Sequence, residues 1–477
     1  METNRRILAD TTLPLLKGRV HCVPSVANLL IPAYYPLADT PMPSKLHEYR
    51  VGIHSNALDA LPTEETGLEM FIQGARKHIE PWLSAVFQSE HLNLLLGSGF
   101  TAGVSAIAGT SAAGMGLKSF GTSYGPQIDV HAKKAAELMK RGSANIEDQF
   151  RSALALAEGL SVIDAAASEA LNTRIGECLT EFLRAILATE AGLKAAAVTK
   201  REKAQAALQS FLLSFASRAA SRERLHMFTT NYDRLIEHGC DLAGLRTVDR
   251  FVGALNPVFR ASRVEVDLHY NPPGIRGEPR FMEGVIRLTK LHGSIDWFFD
   301  AEEKRIFRKG LPFGAPANHT DVPSKPANTI MIYPNAAKDV ETTQYPYAEL
   351  FRDFAAATCR PNAVVVTYGY GFGDDHVNRV LLDMLTIPST HLVIISYSND
   401  DRLQAFCAKT RDAQVSLLIG PHFANLEVLV DNYLPKPALD YITGRMTELL
   451  KHRPGDPTAS SGAPSSGQTP PGNAGAF

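Results

Sequence analysis

Two short apolar runs, each cut off by a glycine turn, constrain this chain more than any other feature. Leu92 to Leu96 stops at Gly97-Ser98-Gly99-Phe100-Thr101, and Ala363 to Tyr368 stops at Gly369-Tyr370-Gly371-Phe372-Gly373-Asp374. A brief, nearly continuous apolar run bounded by glycine is the pattern of a strand buried on both faces. After the second turn, Val377, Val380, Leu381 and Met384 fall at helical spacing, and His391 to Ser396 reads as the next strand. Strand, glycine turn, helix, strand is the order of a parallel sheet with crossover helices. His226 to Thr230, Val285 to Leu291 and Thr329 to Tyr333 read as further strands, and Tyr347 to Ala357 as a helix. The expected fold class is α/β, a doubly wound and mostly parallel sheet.

The first two strands are separated by a long Ala-rich stretch. Within 132–222, segments such as Ile146 to Leu156 and Leu179 to Leu187 have helical spacing, so a helical insertion is expected there. Residues 102–131, rich in Gly, Ala and Ser, read as a loop around the site. Residues 1–65 are Pro-rich and read as an irregular arm or partner-contact segment, followed by a helix from Glu65 to Phe87. The resulting division is an arm over 1–65, a catalytic domain over 66–450 that contains the insertion, and a flexible tail over 451–477 rich in Pro, Gly and Ser.

Bulk properties exclude several classes. The chain has 477 residues, 45% hydrophobic and 21% charged, with a formal net charge of -2. That balance supplies a core and gives no overall basic footprint for nucleic acid. Cys22, Cys178, Cys240, Cys359 and Cys407 form no CxxC pair, so neither a cysteine zinc knuckle nor a disulfide framework is expected. Scattered thiols suit a reducing cytoplasm, and no apolar run is long enough to span a bilayer.

The candidate chemical residues stand at strand ends. Gly97, Ser98 and Gly99 let backbone N–H groups approach a pyrophosphate, with a helix N-terminus behind them; a bare tight turn explains the same residues equally well. Asn231, in Thr230-Asn231-Tyr232-Asp233, has a donor and an acceptor to orient a hydroxyl or a water, or else caps the helix that follows. His292, in Leu291-His292-Gly293-Ser294, is placed for acid–base work or for structure. Gly371, Phe372, Gly373 and Asp374 form a second turn suited to the adenosine side of a dinucleotide. Asn399 and Asp400 suit ribose hydroxyls or an ordinary turn. His376 and Asn378 begin a helix and are secondary candidates, as are Lys338, Tyr345 and Tyr347 beside a loop. What joins these residues is one location: the carboxyl edge, where open α/β sheets bind ligands.

Gly97 to Thr101, then Thr230 to Asp233, then Leu291 to Ser294, in that order, resemble the phosphate loop, the asparagine–aspartate motif and the catalytic histidine motif of sirtuins. Ser98 stands where alanine is usual, and Thr230 where glutamine is usual. Ile332-Tyr333-Pro334 with Lys338, Tyr347 to Phe354, and Gly371 to Arg379 resemble the bacterial sirtuin-like branch of anti-phage defence. Within that branch the likeness is to the subunit paired with a HerA-type ATPase, in the tail ending at Phe477 as well. The resemblance implies a Rossmann-like sirtuin core and NAD as substrate. Asn231 and His292 would be catalytic. Gly97, Ser98, Gly99, Phe100, Thr101, Asp233, Gly371, Phe372, Gly373, Asp374, His376 and Asn399 would bind the dinucleotide, with no metal.

It further implies a HerA-type hexameric ATPase as partner and a homo-oligomer, with a dodecameric ring as one arrangement. No sequence-specific nucleic-acid contact and no membrane are expected. The reaction would be cleavage of NAD to nicotinamide and ADP-ribose, depleting NAD in infected cells. The missing zinc cysteines and the insertion set the chain apart from protein deacylases. A deacylase, or a non-catalytic module that senses NAD or ADP-ribose, remains the alternative.

Overall fold

The computed structural model describes residues 47–117, 119–138, 144–219, 221–260, 267–270, 280–300, 302–322, 329–331 and 345–436. The expectations for residues 1–46, for the tail, and for Ile332-Tyr333-Pro334 with Lys338 lie outside them. The strands are β1 (His47–Val51), β2 (His54–Leu58), β3 (His91–Leu96), β4 (Leu225–Thr229), β5 (Arg246–Val248), β6 (Phe251–Val252), β7 (Val258–Phe259), β8 (His269–Tyr270), β9 (Arg280–Phe281), β10 (Val285–Lys290), β11 (Gly293–Asp300), β12 (Arg305–Arg308), β13 (Thr329–Met331), β14 (Ala363–Tyr368), β15 (His391–Ser396) and β16 (Val415–Ile419).

The main sheet has the order β2-β1-β16-β15-β14-β3-β4-β10-β5. From β16 to β5 every neighbour pair is parallel. Only the edge hairpin β1–β2 runs antiparallel. Within the parallel part the chain starts at β3, continues through β4, β5 and β10 on one side, then crosses to β14 on the other side of β3 and goes on to β15 and β16. The order therefore reverses between β3 and β14, the switch point at which doubly wound sheets form their crevice. The mixed α/β, mostly parallel architecture agrees with a Rossmann-like core and helices.

Period-two alternation explains why the central strands are apolar throughout. Leu92, Leu94 and Leu96 join Val364, Val366 and Tyr368 in a core shared with helices Glu65–Phe87, Ser98–Ala108, Val198–Ala216 and Leu426–Asn432. Leu95, Val365, Ile394 and Leu417 face the opposite side, against helices Tyr347–Thr358, Asp375–Leu385 and Asp401–Cys407. A second sheet, β13-β11-β12-β7-β6, places Trp297, Phe251, Phe259 and Ile306 in that second core.

The helical insertion is present as Gly125–Leu138, Ile146–Ile163, Ala165–Ala195 and Val198–Ala216. Its own core centres on Phe150, Leu179, Phe182 and Leu183 and takes in Tyr232 from the turn after β4. A buried ion pair locks it there. Glu190 accepts from the Arg234 backbone N–H at 2.8 Å and pairs with the Arg234 guanidinium. Burial raises the Glu190 pKa, and the Arg234 charge opposes that rise.

Two local expectations change. Within the segment read as an irregular arm, residues 47–58 form a hairpin on the sheet edge, turning at Gly52 with φ 56°. Its outer strand is polar and exposed, so it carries no apolar alternation to read. Within 102–131, read as a loop, Ser98–Ala108 and Gly125–Leu138 are helical. The described residues between these helices, around Gly114 and Gly116, are irregular, as expected. Strands β11, β12 and β16 were also not anticipated. No helix among the described residues is long and apolar enough to cross a membrane.

Two stability changes follow from these contacts. Gly369 has φ 63°, and a Cβ there would lie 2.6 Å from the Gly99 backbone. Gly369→Ala should therefore lower unfolding free energy by at least about 1–3 kcal/mol in urea titration, while Gly114→Ala, with open space around it, stays within about 0.5 kcal/mol. Glu190→Ala leaves a buried guanidinium uncompensated and should cost about 3–5 kcal/mol in the same measurement. An unchanged midpoint for either Gly369→Ala or Glu190→Ala would contradict the packing described.

Candidate functional site

At the switch point two turns meet backbone to backbone. The Gly97 N–H donates to the Tyr368 carbonyl at 3.1 Å, and the Gly99 N–H donates to the Gly369 carbonyl at 3.0 Å. A Cβ on Gly97 would sit 2.5 Å from the Gly369 oxygen, and one on Gly99 2.6 Å from the Gly369 Cα. No side chain fits between them, which is why the first turn is Gly-Ser-Gly. Helix Ser98–Ala108 starts in this turn and presents its N-terminus to the crevice.

The turn after β4 is tied to it. The Asn231 Nδ2 donates to the Gly97 carbonyl at 2.9 Å and to the Thr101 hydroxyl at 3.1 Å. The Thr101 hydroxyl in turn donates to Asp233 Oδ2 at 2.7 Å, and Asp233 Oδ1 accepts from the Leu235 N–H at 3.1 Å. Both amide protons of Asn231 are thus committed, so a ligand meets this side chain at its carbonyl oxygen, an acceptor. Buried Lys290 holds the same turn from beneath. Its ammonium donates to the Asp233 carbonyl and to Glu237 Oε1, the latter at 3.0 Å. Burial raises the Glu237 pKa, opposed by the Lys290 charge.

His292 lies in the tight connection from β10 to β11, just before Gly293 with φ 84°. Its Nε2 is 3.0 Å from the Nε2 of His376, and the rings are inclined at 31°. Both histidines are buried, at 2% and 6% exposure. Phe351 packs edge-on against His376 at 4.8 Å.

A cavity of about 430 Å³ opens at this edge, within the usual size of ligand pockets, about 300–1,000 Å³. Of the residues singled out in the sequence, Gly97, Ser98, Thr101, Asn231, Asp233, His292, Gly371, Gly373 and Asp374 line it. The others are placed differently. Gly99 packs on Gly369. Phe100 is in the core against Phe211 and Tyr368, and Phe372 is buried against Tyr370 and Phe406. His376 stands beside His292. Asn399 accepts from the Gln404 side chain through its backbone carbonyl at 3.0 Å, while Asp400 caps the helix after β15. Asp374 precedes its helix without a side-chain cap bond.

Ala112, Ala113, Met115 and Gly116 line the cavity, as expected for a loop around the site, but the wall from the insertion was not foreseen: Asn145, Glu147, Asp148, Phe182, Ile186 and Thr189 face the same cavity. A capping box between Asn145 and Asp148 turns that helix start inward. Its signature, Asn145-Ile146-Glu147-Asp148, is legible as a helix start but not as a site. Arg402 also lines the cavity, 2.9 Å from Asp400. Among the described residues, the lining combines four carboxylates (Glu147, Asp148, Asp233 and Asp374) with Arg402, charges of both signs. Among the described residues, the side chains of His292, Asp374 and His376 also form a group able to hold a metal ion.

Residues 225–414 match a family model described as SIR2-like domain. The matched span includes Asn231, His292 and the turn at Gly371 to Asp374, and it points to NAD-related chemistry in general. No curated protein matches the chain. The family match, on this sheet and with these motifs at its carboxyl edge, supports a sirtuin-like family member.

Proposed function

We propose that the chain is an NAD glycohydrolase that cleaves NAD to nicotinamide and ADP-ribose. The observation that carries this reading is that Asn231, His292 and the Gly97–Thr101 turn, far apart in sequence, line one cavity at the switch point. The pyrophosphate would lie at the N-terminus of helix Ser98–Ala108, near Arg402, where partial and full positive charge favour it. The cationic nicotinamide riboside would lie toward Glu147 and Asp148 of the insertion.

Nicotinamide leaves as a neutral amine, so its departure needs no general acid. The C1′–N bond breaks, positive charge moves onto the ribose, and the neighbouring carboxylates stabilise it. Water then attacks C1′. His292 takes one proton from that water, and the Asn231 carbonyl oxygen accepts a hydrogen bond from it or from a ribose hydroxyl. The balance is NAD and water in, and nicotinamide, ADP-ribose and one proton out. Insertion residues occupy the wall of the cavity, which favours water over an acyl-lysine peptide as the acceptor.

In the cell, the same reading has the chain acting in the bacterial cytoplasm in anti-phage defence, exhausting NAD together with a HerA-type hexameric ATPase. A homo-oligomeric ring would dock on that hexamer. These assignments rest on the motif resemblance.

Nicotinamide release from NAD should fall by about 10²–10⁴-fold in His292→Ala, with the fold preserved in circular dichroism. Asn231→Ala should fall comparably. Parent-level turnover in either purified variant would overturn the assignment. Co-expression with a HerA-type ATPase should yield a stable complex on size exclusion that raises turnover per chain; separate elution with unchanged turnover would remove the partner from the account.

A further inference from the structure

We infer that His292, His376 and Asp374 form a divalent-cation site of zinc type, and that an ion bound there switches the cavity off. The observation is the facing of two buried imidazoles through the same nitrogen. The two Nε2 atoms lie 3.0 Å apart, and a ligand atom of Asp374 completes a set within 4.8 Å. Around a tetrahedral zinc with bonds of about 2.0 Å, neighbouring ligand atoms lie roughly 3.3 Å apart. The imidazoles already have nearly that separation. Only the Asp374 carboxylate must close in.

The donor set is also chemically apt. Two imidazoles and one carboxylate suit zinc and related borderline ions, and three protein ligands leave a fourth position open. His292 and Asp374 line the cavity, so that fourth position opens toward it. Each histidine offers its Nε2 lone pair in the tautomer protonated at Nδ1. The ion then takes the lone pair on which His292 would receive a proton, and its bound water occupies part of the cavity that His292 and Asn231 both line.

The inhibitory consequence rests on the NAD-cleavage reading; ion binding does not. Phe351 packs against the His376 ring and Leu381, one turn and more along the same helix, anchors it in the core. The helix thus holds the second ligand in place without metal, so the ion binds a preformed pair rather than folding the chain.

The test uses the full-length protein, stripped with chelator and titrated with zinc chloride by calorimetry. One equivalent should bind to the parent. His376→Ala should weaken binding by more than about 100-fold, and Asp374→Asn, at the half-buried turn, by about 10–100-fold. Circular dichroism checks that each variant is folded. In parallel, nicotinamide release by the parent should fall with added zinc at the binding stoichiometry and return on chelation. No stoichiometric binding, or equal binding by folded His376→Ala and Asp374→Asn, overturns the site. Binding that leaves turnover unchanged overturns the switch. Binding lost in both variants, from a protein that never cleaves NAD, supports the site and refutes the cleavage reading instead.

Discussion

Backbone lies against backbone where β3 and β14 end, and the rest of the site depends on that contact. Gly97, Gly99 and Gly369 approach so closely that any Cβ would collide with a neighbouring main chain. Two turns that leave the sheet toward opposite faces are thereby held at a fixed separation. Helix Ser98–Ala108 is aimed from one of them, and the Asn231 amide is hydrogen-bonded to the carbonyl of Gly97 itself. A parallel sheet supplies the crevice for topological reasons; the glycines let the two turns meet main chain to main chain at its floor, with the Gly97 and Gly99 N–H groups bonded across to Tyr368 and Gly369.

A second layer of constraint fixes the side chains that face the crevice. Thr101 accepts from Asn231 and donates to Asp233, which joins the Gly97–Thr101 turn to the turn after β4. Lys290 closes the unit from below, and the Arg234–Glu190 pair joins it to the insertion. Buried charges of this sort are costly unless paired, and here each is paired across elements distant in sequence. The insertion is therefore part of the site, bringing Glu147 and Asp148 to the wall. Among the described residues, Glu147, Asp148, Asp233 and Asp374 line the cavity together with Arg402 and the start of helix Ser98–Ala108, so charge of both signs faces it.

Much of this was legible before any coordinates. The buried strands announced themselves as apolar runs, and Gly-Ser-Gly and Gly-Tyr-Gly marked their carboxyl ends. Asn231 and His292 were readable because each follows such a strand. What stayed hidden has physical reasons. The outer strand of the edge hairpin, His54–Leu58, is exposed along its length and shows no alternation. Phe100 and Phe372 belong to glycine motifs, yet their rings point to the core, because strand-end positions serve packing as well as binding. Asn399 shares a turn with Asp400, and the helix cap uses that turn. Glu147 gave no signal at all: a carboxylate in the first turn of a helix is ordinary, and only the tertiary fold points it inward. The pairing of His292 with His376 joins a strand end to a helix start 84 positions away, beyond what spacing alone reveals.

The central claim is that one cavity holds NAD and lets water take the ribosyl group. Product analysis of NAD incubated with the full-length chain, alone and with a HerA-type ATPase as the proposed partner, and without any acyl-lysine peptide, tests it most directly. The account predicts nicotinamide and ADP-ribose in equal amounts. Intact NAD under both conditions, or nicotinamide released only when an acyl-lysine peptide is added, would contradict it.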